Sequence, residues 1–329
     1  MTETESVHWS QQKEKTAGYW HVKFTLYLFK FFPVIILRIL AFPVGFFYFL
    51  FSKNSRNLSK YYLEKAASFA NDSKVVKKCR SFFAPLRHIV SFSLTLIEKI
   101  ETWSGRFPFK NINFQNDDIV ELIKDMENKR GVFLITSHLG NVELLRGLAG
   151  FNRTGVSRPV PITAIIDKNV SKNFTRMLNE LNPRSTLDII NAQEIGPDTA
   201  SLLEEKLAAG EIVTIAGDRT AAGSPEKNLM IPFLGEEAPF SPGNFYLAVL
   251  LNAPVYFIFA LRRGELSINP KYDMFVHKSK ISRLQSLTKK ERLIQCHEMV
   301  RSYAALLETH CKNHPFQWYN FYDFWLKGV

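Results

Sequence analysis

From Trp20 the chain turns apolar and aromatic, and Phe31 to Phe51, FFPVIILRILAFPVGFFYFLF, carries a single charge, Arg38. A run of that length can span a bilayer. Before it, residues 1–19 are polar and without periodicity, and read as a mobile tail. Against a simple span stand the breakers Pro33, Pro43 and Gly45 and the cost of Arg38, roughly 2.5–3.5 kcal/mol at a helix centre on insertion scales. Both flanks are basic, with Lys23 and Lys30 before the run and Lys53 and Arg56 after it, so the positive-inside rule gives no orientation. A single span and an interfacial anchor both fit residues 20–56. No small-x-small cleavage site follows the run, which argues against a cleaved signal peptide.

Arg56 to Thr102 has helical apolar spacing and no strand-like alternation. After a turn at Ser104 to Pro108, short apolar runs alternate with helical patterns. Helix DDIVELIKDMENKRG precedes strand VFLIT, a helix starting at Asn141 precedes PITAII, and KNFTRMLNELN precedes LDII. A helix within GPDTASLLEEKLAAG then leads to EIVTIAG, and SPGNFYLAVLLN leads to PVYFIFALRRG. Strands separated by helices of this length pair in parallel. The expected fold class is α/β, a central and mostly parallel sheet flanked by helices, with residues 57–329 as one domain behind the N-terminal hydrophobic segment.

Composition narrows the class. The excess of Lys and Arg over Asp and Glu, 42 against 31, points to an anionic surface, a nucleic acid or an acidic protein partner. Phenylalanine, at 28 residues, suits a lipid-facing or acyl-binding protein better than a nucleic-acid reader. The basic stretches KVVKKCR and LTKKERL also lack the interleaved aromatics of base-reading surfaces. Three irregularly spaced cysteines, Cys79, Cys296 and Cys311, form no disulfide framework and fit a reducing cytoplasm.

Functional groups in open α/β sheets gather at the C-terminal ends of strands. His138 lies just past strand VFLIT, and Glu143 lies in the first turn of the next helix, within SHLGNVELLR. Gly140 permits a tight turn, Asn141 can cap the helix, and Glu143 suits its positive end. Such a turn can fold the glutamate onto one imidazole nitrogen and leave the other as a base. A polar turn with a stray His and a solvated Glu remains the plain alternative. A second strand end, EIVTIAGDRT, places Asp218 and Arg219 in a matching position, where Arg219 can bind phosphate or an oxyanion and Asp218 can hold a loop or the arginine. Downstream, IPFLGEEAPF is an apolar hairpin-like loop, followed by Ser241 and Pro242 as helix cap and first-turn proline.

These elements together resemble the lysophospholipid acyltransferase superfamily, and within it the bacterial lipid A late acyltransferases with their H-x-x-x-x-D/E motif, here His138 to Glu143. The likeness continues in GDR at Gly217 to Arg219, FLGEEAPFSPG at Phe233 to Gly243 and LAVLLNAPVY at Leu247 to Tyr256. The C-terminal FQWYNFYDFW, Phe316 to Trp325, departs from the lipid A enzymes and looks like a branch associated with aryl polyene-type lipid pathways. The resemblance implies His138 as general base and Glu143 as its orienting partner. Asn141, Arg146, Asp218, Arg219 and Phe233 are then the candidate substrate-contacting residues. It implies an acyl thioester donor, acyl carrier protein or acyl-CoA, and a membrane lipid or glycolipid acceptor, at the cytoplasmic face of a bacterial inner membrane. The scheme needs no metal, no cofactor and no nucleic acid. An acyl-CoA-dependent glycerolipid enzyme is the nearest alternative, and a catalytically silent membrane scaffold is a remoter one.

Other signals are weak. There is no G-x-S-x-G elbow, Walker A loop or dinucleotide fingerprint. HCKNH, His310 to His314, lacks paired metal-ligand spacing and reads as a helix end. The aromatic C-terminal segment fits an acyl site, a bilayer interface or simple packing onto the core.

Overall fold

The computed structural model describes residues 27–29, 31–145, 156–166, 187–220, 225–280 and 287–325. The polar tail, the helix expected at 172–182 and the candidate residue Arg146 lie outside the described residues. Among those described, helices α1 (Val34–Phe51), α2 (Lys53–Phe69), α3 (Ser73–Cys79) and α4 (Ala84–Trp103) precede the sheet region. There follow β1 (Ile112–Phe114), α5 (Asp118–Glu127), β2 (Val132–Thr136), β3 (Ile162–Ile166), β4 (Leu187–Asn191), α6 (Pro197–Ala208) and β5 (Ile212–Ala216). The chain continues through β6 (Leu229–Phe233), β7 (Glu236–Phe240), α7 (Gly243–Leu250), β8 (Val255–Arg262), β9 (Tyr272–Lys278) and α8 (Lys289–Asn313).

The main sheet has seven strands in the order β1-β9-β8-β2-β5-β3-β4. β8, β2, β5, β3 and β4 pair in parallel, while β9 pairs antiparallel with β8 and carries β1 parallel on its outer side. The parallel α/β expectation therefore holds, and the antiparallel edge is an addition. β2, β3, β5 and β8 are buried on both faces, as parallel strands between helix layers must be. Phe133 and Ile135 of β2 join the core on the α7 and α8 side, whereas Val132 and Leu134 face α5. IPFLGEEAPF forms the β6–β7 hairpin, turning at Leu234 and Gly235 with φ of 48° and 82°. Positive φ at both central residues matches the right-handed twist of a tight hairpin. α7 begins at Gly243 with Pro242, not Ser241, in the capping position, and no side chain caps it.

α1 packs on α4 through a narrow stripe, Leu37, Arg38, Ala41 and Gly45. At Gly45 an added Cβ would lie 2.9 Å from Val90 Cγ2, so the small residue lets the two helices meet. Arg38 is not a stray charge in an apolar span: it is buried against α4, ion-paired with Glu101, and its Nη1 donates to the Ile268 carbonyl at 3.2 Å. Most of the rest of the helix, including Ile39, Phe46, Phe47, Leu50 and Phe51, is exposed. Among the described residues α1 is the one helix with the length and composition to cross a membrane.

Candidate active site

β2 and β5 are neighbours in register, Thr136 opposite Ala216, so the chain leaves both strands at the same end of the sheet. His138 and Asp218 lie two residues beyond these ends and meet there. Asp218 Oδ1 lies 2.8 Å from His138 Nδ1, and Oδ2 accepts the His138 backbone N–H at 2.7 Å. The same Oδ2 accepts the indole N–H of Trp318 at 2.9 Å. Asp218 is wholly buried, while the His138 side chain is 34% exposed. A carboxylate on Nδ1 fixes the tautomer with the proton on Nδ1, leaving the Nε2 lone pair outward. The Arg219 Nε–H points at that lone pair from 3.4 Å, and its guanidinium lies over the Tyr322 ring, 5.0 Å from the centroid.

Desolvation of the ring and the Arg219 charge hold the His138 imidazole below its usual pKa, against the opposing pull of Asp218. Burial on its own would raise Asp218, but His138, then Arg219 and the Trp318 N–H outweigh it and hold the carboxyl below its ordinary range. The pair is therefore a neutral imidazole beside a carboxylate at neutral pH, the state a general base needs.

The turn that presents His138 is built tightly. Gly140 has φ of 74°, and a Cβ there would lie 1.9 Å from the Ala260 carbonyl oxygen. Its N–H donates to Gln317 O at 2.8 Å, Tyr319 N–H donates to His138 O at 3.1 Å, and Asn141 N–H donates to Ala260 O at 2.9 Å. The loop is thus clamped between the end of β8 and the C-terminal segment. Below it, the Tyr303 hydroxyl donates to the Thr136 carbonyl at 2.7 Å.

The structure places several of the expected site residues differently. The carboxylate on His138 Nδ1 belongs to Asp218 and not to Glu143, because the parallel register brings the β5 end alongside the β2 end. Glu143 is buried in the first turn of the next helix. Asn141 is also buried, and neither side-chain polar atom has a hydrogen-bond partner among the described residues, so it does not cap that helix through its side chain. Phe233 sits in the core rather than on an open surface, its ring centroid 5.3 Å from Trp318, 5.7 Å from Phe240 and 5.7 Å from Phe324. Of the expected site residues the structure brings together His138, Asp218 and Arg219. It adds Trp318, which carried no separable signal in a C-terminal segment with seven aromatic residues. His310 packs at a tilt between Phe259 and Phe275, with centroids 4.7 and 4.6 Å away, and burial pushes its pKa down to about 3. Cys311 packs in the core.

Compared with known families, residues 6–327 match that of the bacterial lipid A biosynthesis acyltransferases. The chain belongs to that family. It is thus an acyltransferase acting on a lipid acceptor. No curated protein matches this acyltransferase in sequence. In this acyltransferase an imidazole with a carboxylate at one nitrogen and a guanidinium near the other stand together just past the ends of β2 and β5.

Proposed function

We propose that this acyltransferase moves a fatty acyl or related polyene acyl group from an acyl thioester to a hydroxyl or amine of a lipid or glycolipid, with His138 as general base oriented by Asp218. The observation that carries this reading is the 2.8 Å contact of Asp218 Oδ1 with His138 Nδ1, which leaves Nε2 as the accepting nitrogen of a part-exposed ring. The acceptor proton passes to Nε2 as its oxygen or nitrogen attacks the thioester carbonyl. The tetrahedral oxyanion forms beside Arg219, and on its collapse the C–S bond breaks and the thiolate takes the proton from the imidazolium. Asn141, with its buried unpartnered amide, is a candidate for binding the acceptor. Glu143 is a second acid in the same turn.

The basic excess of the chain favours an acidic acyl carrier protein as donor, with acyl-CoA as the alternative. The reducing compartment implied by three free buried thiols favours the cytoplasmic face of a bacterial inner membrane. For attachment we favour α1 lying in the membrane interface. A span would carry α4, with its buried Glu98 and Glu101, into the hydrocarbon beside it.

The test is His138→Ala, assayed for thiol release from acyl carrier protein and from CoA thioesters in the presence of a bacterial lipid extract. Loss of transfer in a variant that folds and binds membranes normally is expected, and retained transfer would overturn the assignment. Lipid analysis of a strain lacking the protein names the acceptor through the acylated species that disappears.

A further inference from the structure

Residues 317–319 run as a strip along the back of the His138 turn, and Trp318 reaches from that strip to the catalytic carboxylate. We propose that Trp318 is a positioning residue for the acyl-transfer base, its indole N–H fixing the plane in which the Asp218 carboxylate meets the His138 ring. This rests on the His138 reading above.

Asp218 receives three N–H donors, and two of them share Oδ2: the His138 amide at 2.7 Å and the Trp318 indole at 2.9 Å. A single donor leaves a carboxylate free to rotate about its last bond, whereas two convergent donors on one oxygen set the direction of the other. That other oxygen, Oδ1, faces His138 Nδ1.

The indole itself has no freedom to follow. Trp318 is 1% exposed and packs edge-on against Tyr62, Phe324 and Phe233, at centroid distances of 5.0, 5.0 and 5.3 Å. Its backbone is bridged antiparallel to Leu139, and its carbonyl accepts from the buried His88 Nε2 at 3.1 Å. Gln317 extends the β8 ladder with its side-chain amide, accepting from Arg262 N at 2.7 Å and donating to Arg262 O at 2.8 Å. The Tyr319 hydroxyl is held by Ser91 and Thr95 of α4, each at 2.9 Å. Elements far apart in sequence thus converge to hold one N–H on one oxygen. The aromatic C-terminal segment, read from sequence as packing or lipid contact, is on this view part of the catalytic apparatus without touching substrate.

The other titratable or charged groups around the pair are Arg219, Lys99 on α4, Tyr303 and Cys311 on α8 and Tyr322 in the C-terminal segment, with Glu143 in the turn that follows His138. All are left in place by the test. Trp318→Phe keeps a ring in the cluster and removes the donor. Trp325→Phe is the matched control, because its indole N–H donates to the Phe233 carbonyl at 3.1 Å. The full-length protein is labelled with ¹³C at histidine Cε1, and the His138 signal is assigned by its loss in His138→Ala.

Removing the Trp318 donor leaves more of the Asp218 charge to the imidazolium, so the His138 midpoint should rise by about half a pH unit or more. In the thiol-release assay kcat should fall about ten- to hundredfold with KM little changed, the range for losing a hydrogen bond to a charged group. Trp325→Phe should move neither. An unmoved His138 midpoint in Trp318→Phe, or an equal shift in Trp325→Phe, would overturn the proposal. If Trp318→Phe does not fold, benzothienylalanine at position 318, an isostere with sulfur in place of N–H, makes the same deletion. Activity surviving in His138→Ala would strike the base assignment instead, while the titration would still report whether Trp318 governs the Asp218–His138 contact.

Discussion

Replacing Asp218 by Asn isolates the charge on which the proposed base depends. The donors fix how the amide must sit. His138 N–H and Trp318 Nε1–H both point at Oδ2, so the single amide oxygen takes that position and the NH2 group turns to His138 Nδ1. Facing a donor, Nδ1 gives up its proton and the imidazole carries it on Nε2, where the base should be. Both buried N–H groups keep an acceptor, so the fold is expected to lose only about 1 kcal/mol. The proton-transfer contribution, typically about 10²–10⁴-fold in rate, should be lost from kcat with KM unchanged. Steady-state kinetics of thiol release, with thermal melts of the same preparations, read both quantities. Glu143→Gln run alongside is the discriminator. If Asp218→Asn transfers within about threefold of the parent while Glu143→Gln is dead, then the glutamate orients the histidine during turnover and the Asp218 argument is wrong.

Gly140→Ala should destabilise the protein by more than the roughly 1–2 kcal/mol of a left-handed alanine, because its Cβ would also lie 1.9 Å from the Ala260 oxygen; a melting temperature near the parent's would refute this. Burial holds His88 and His310 down to about 3, so each is neutral when folded and protonates on unfolding at its ordinary value near 6.5. Their contribution is complete above that ordinary value and lost as pH falls towards 3, which makes unfolding by urea easier by about 2 kcal/mol per histidine between pH 7 and 5; a flat stability over that interval would count against it. Arg38→Ala strands the buried Glu101 and should cost about 3–5 kcal/mol, whereas replacing both partners by apolar residues should cost much less; equal losses in urea titrations would show the pair is not coupled. Serine at Phe46, Phe47 and Phe51 should release the protein from vesicles while leaving its melting temperature unchanged, since all three are exposed; undiminished vesicle binding would locate attachment elsewhere.

Most of the architecture is written in local pattern. The apolar runs of β2, β3, β4, β5 and β8, separated by helical stretches, define a parallel sheet because a strand covered on both faces needs no polar alternation. β9 was not visible in this way: Tyr272–Lys278 mixes charge with apolar residues, and it becomes a strand by pairing with β8. Arg38 shows the same limit, since its sequence neighbours are all apolar and its partner Glu101 lies on another helix.

At the site, sequence by itself determined that His138, Glu143, Asp218 and Arg219 stand just past apolar runs, where α/β sheets expose their functional groups. Five residues of separation made Glu143 the natural partner for His138. The tertiary structure put a different carboxylate on the ring, because strand order set β5 against β2 and brought Asp218, 80 residues away, within 2.8 Å of His138 Nδ1. It also brought one of many C-terminal aromatics, Trp318, onto the Asp218 carboxylate, by bridging its backbone to Leu139. Period and spacing act along the chain, and the side chains that gather around one imidazole are chosen by which strands lie side by side.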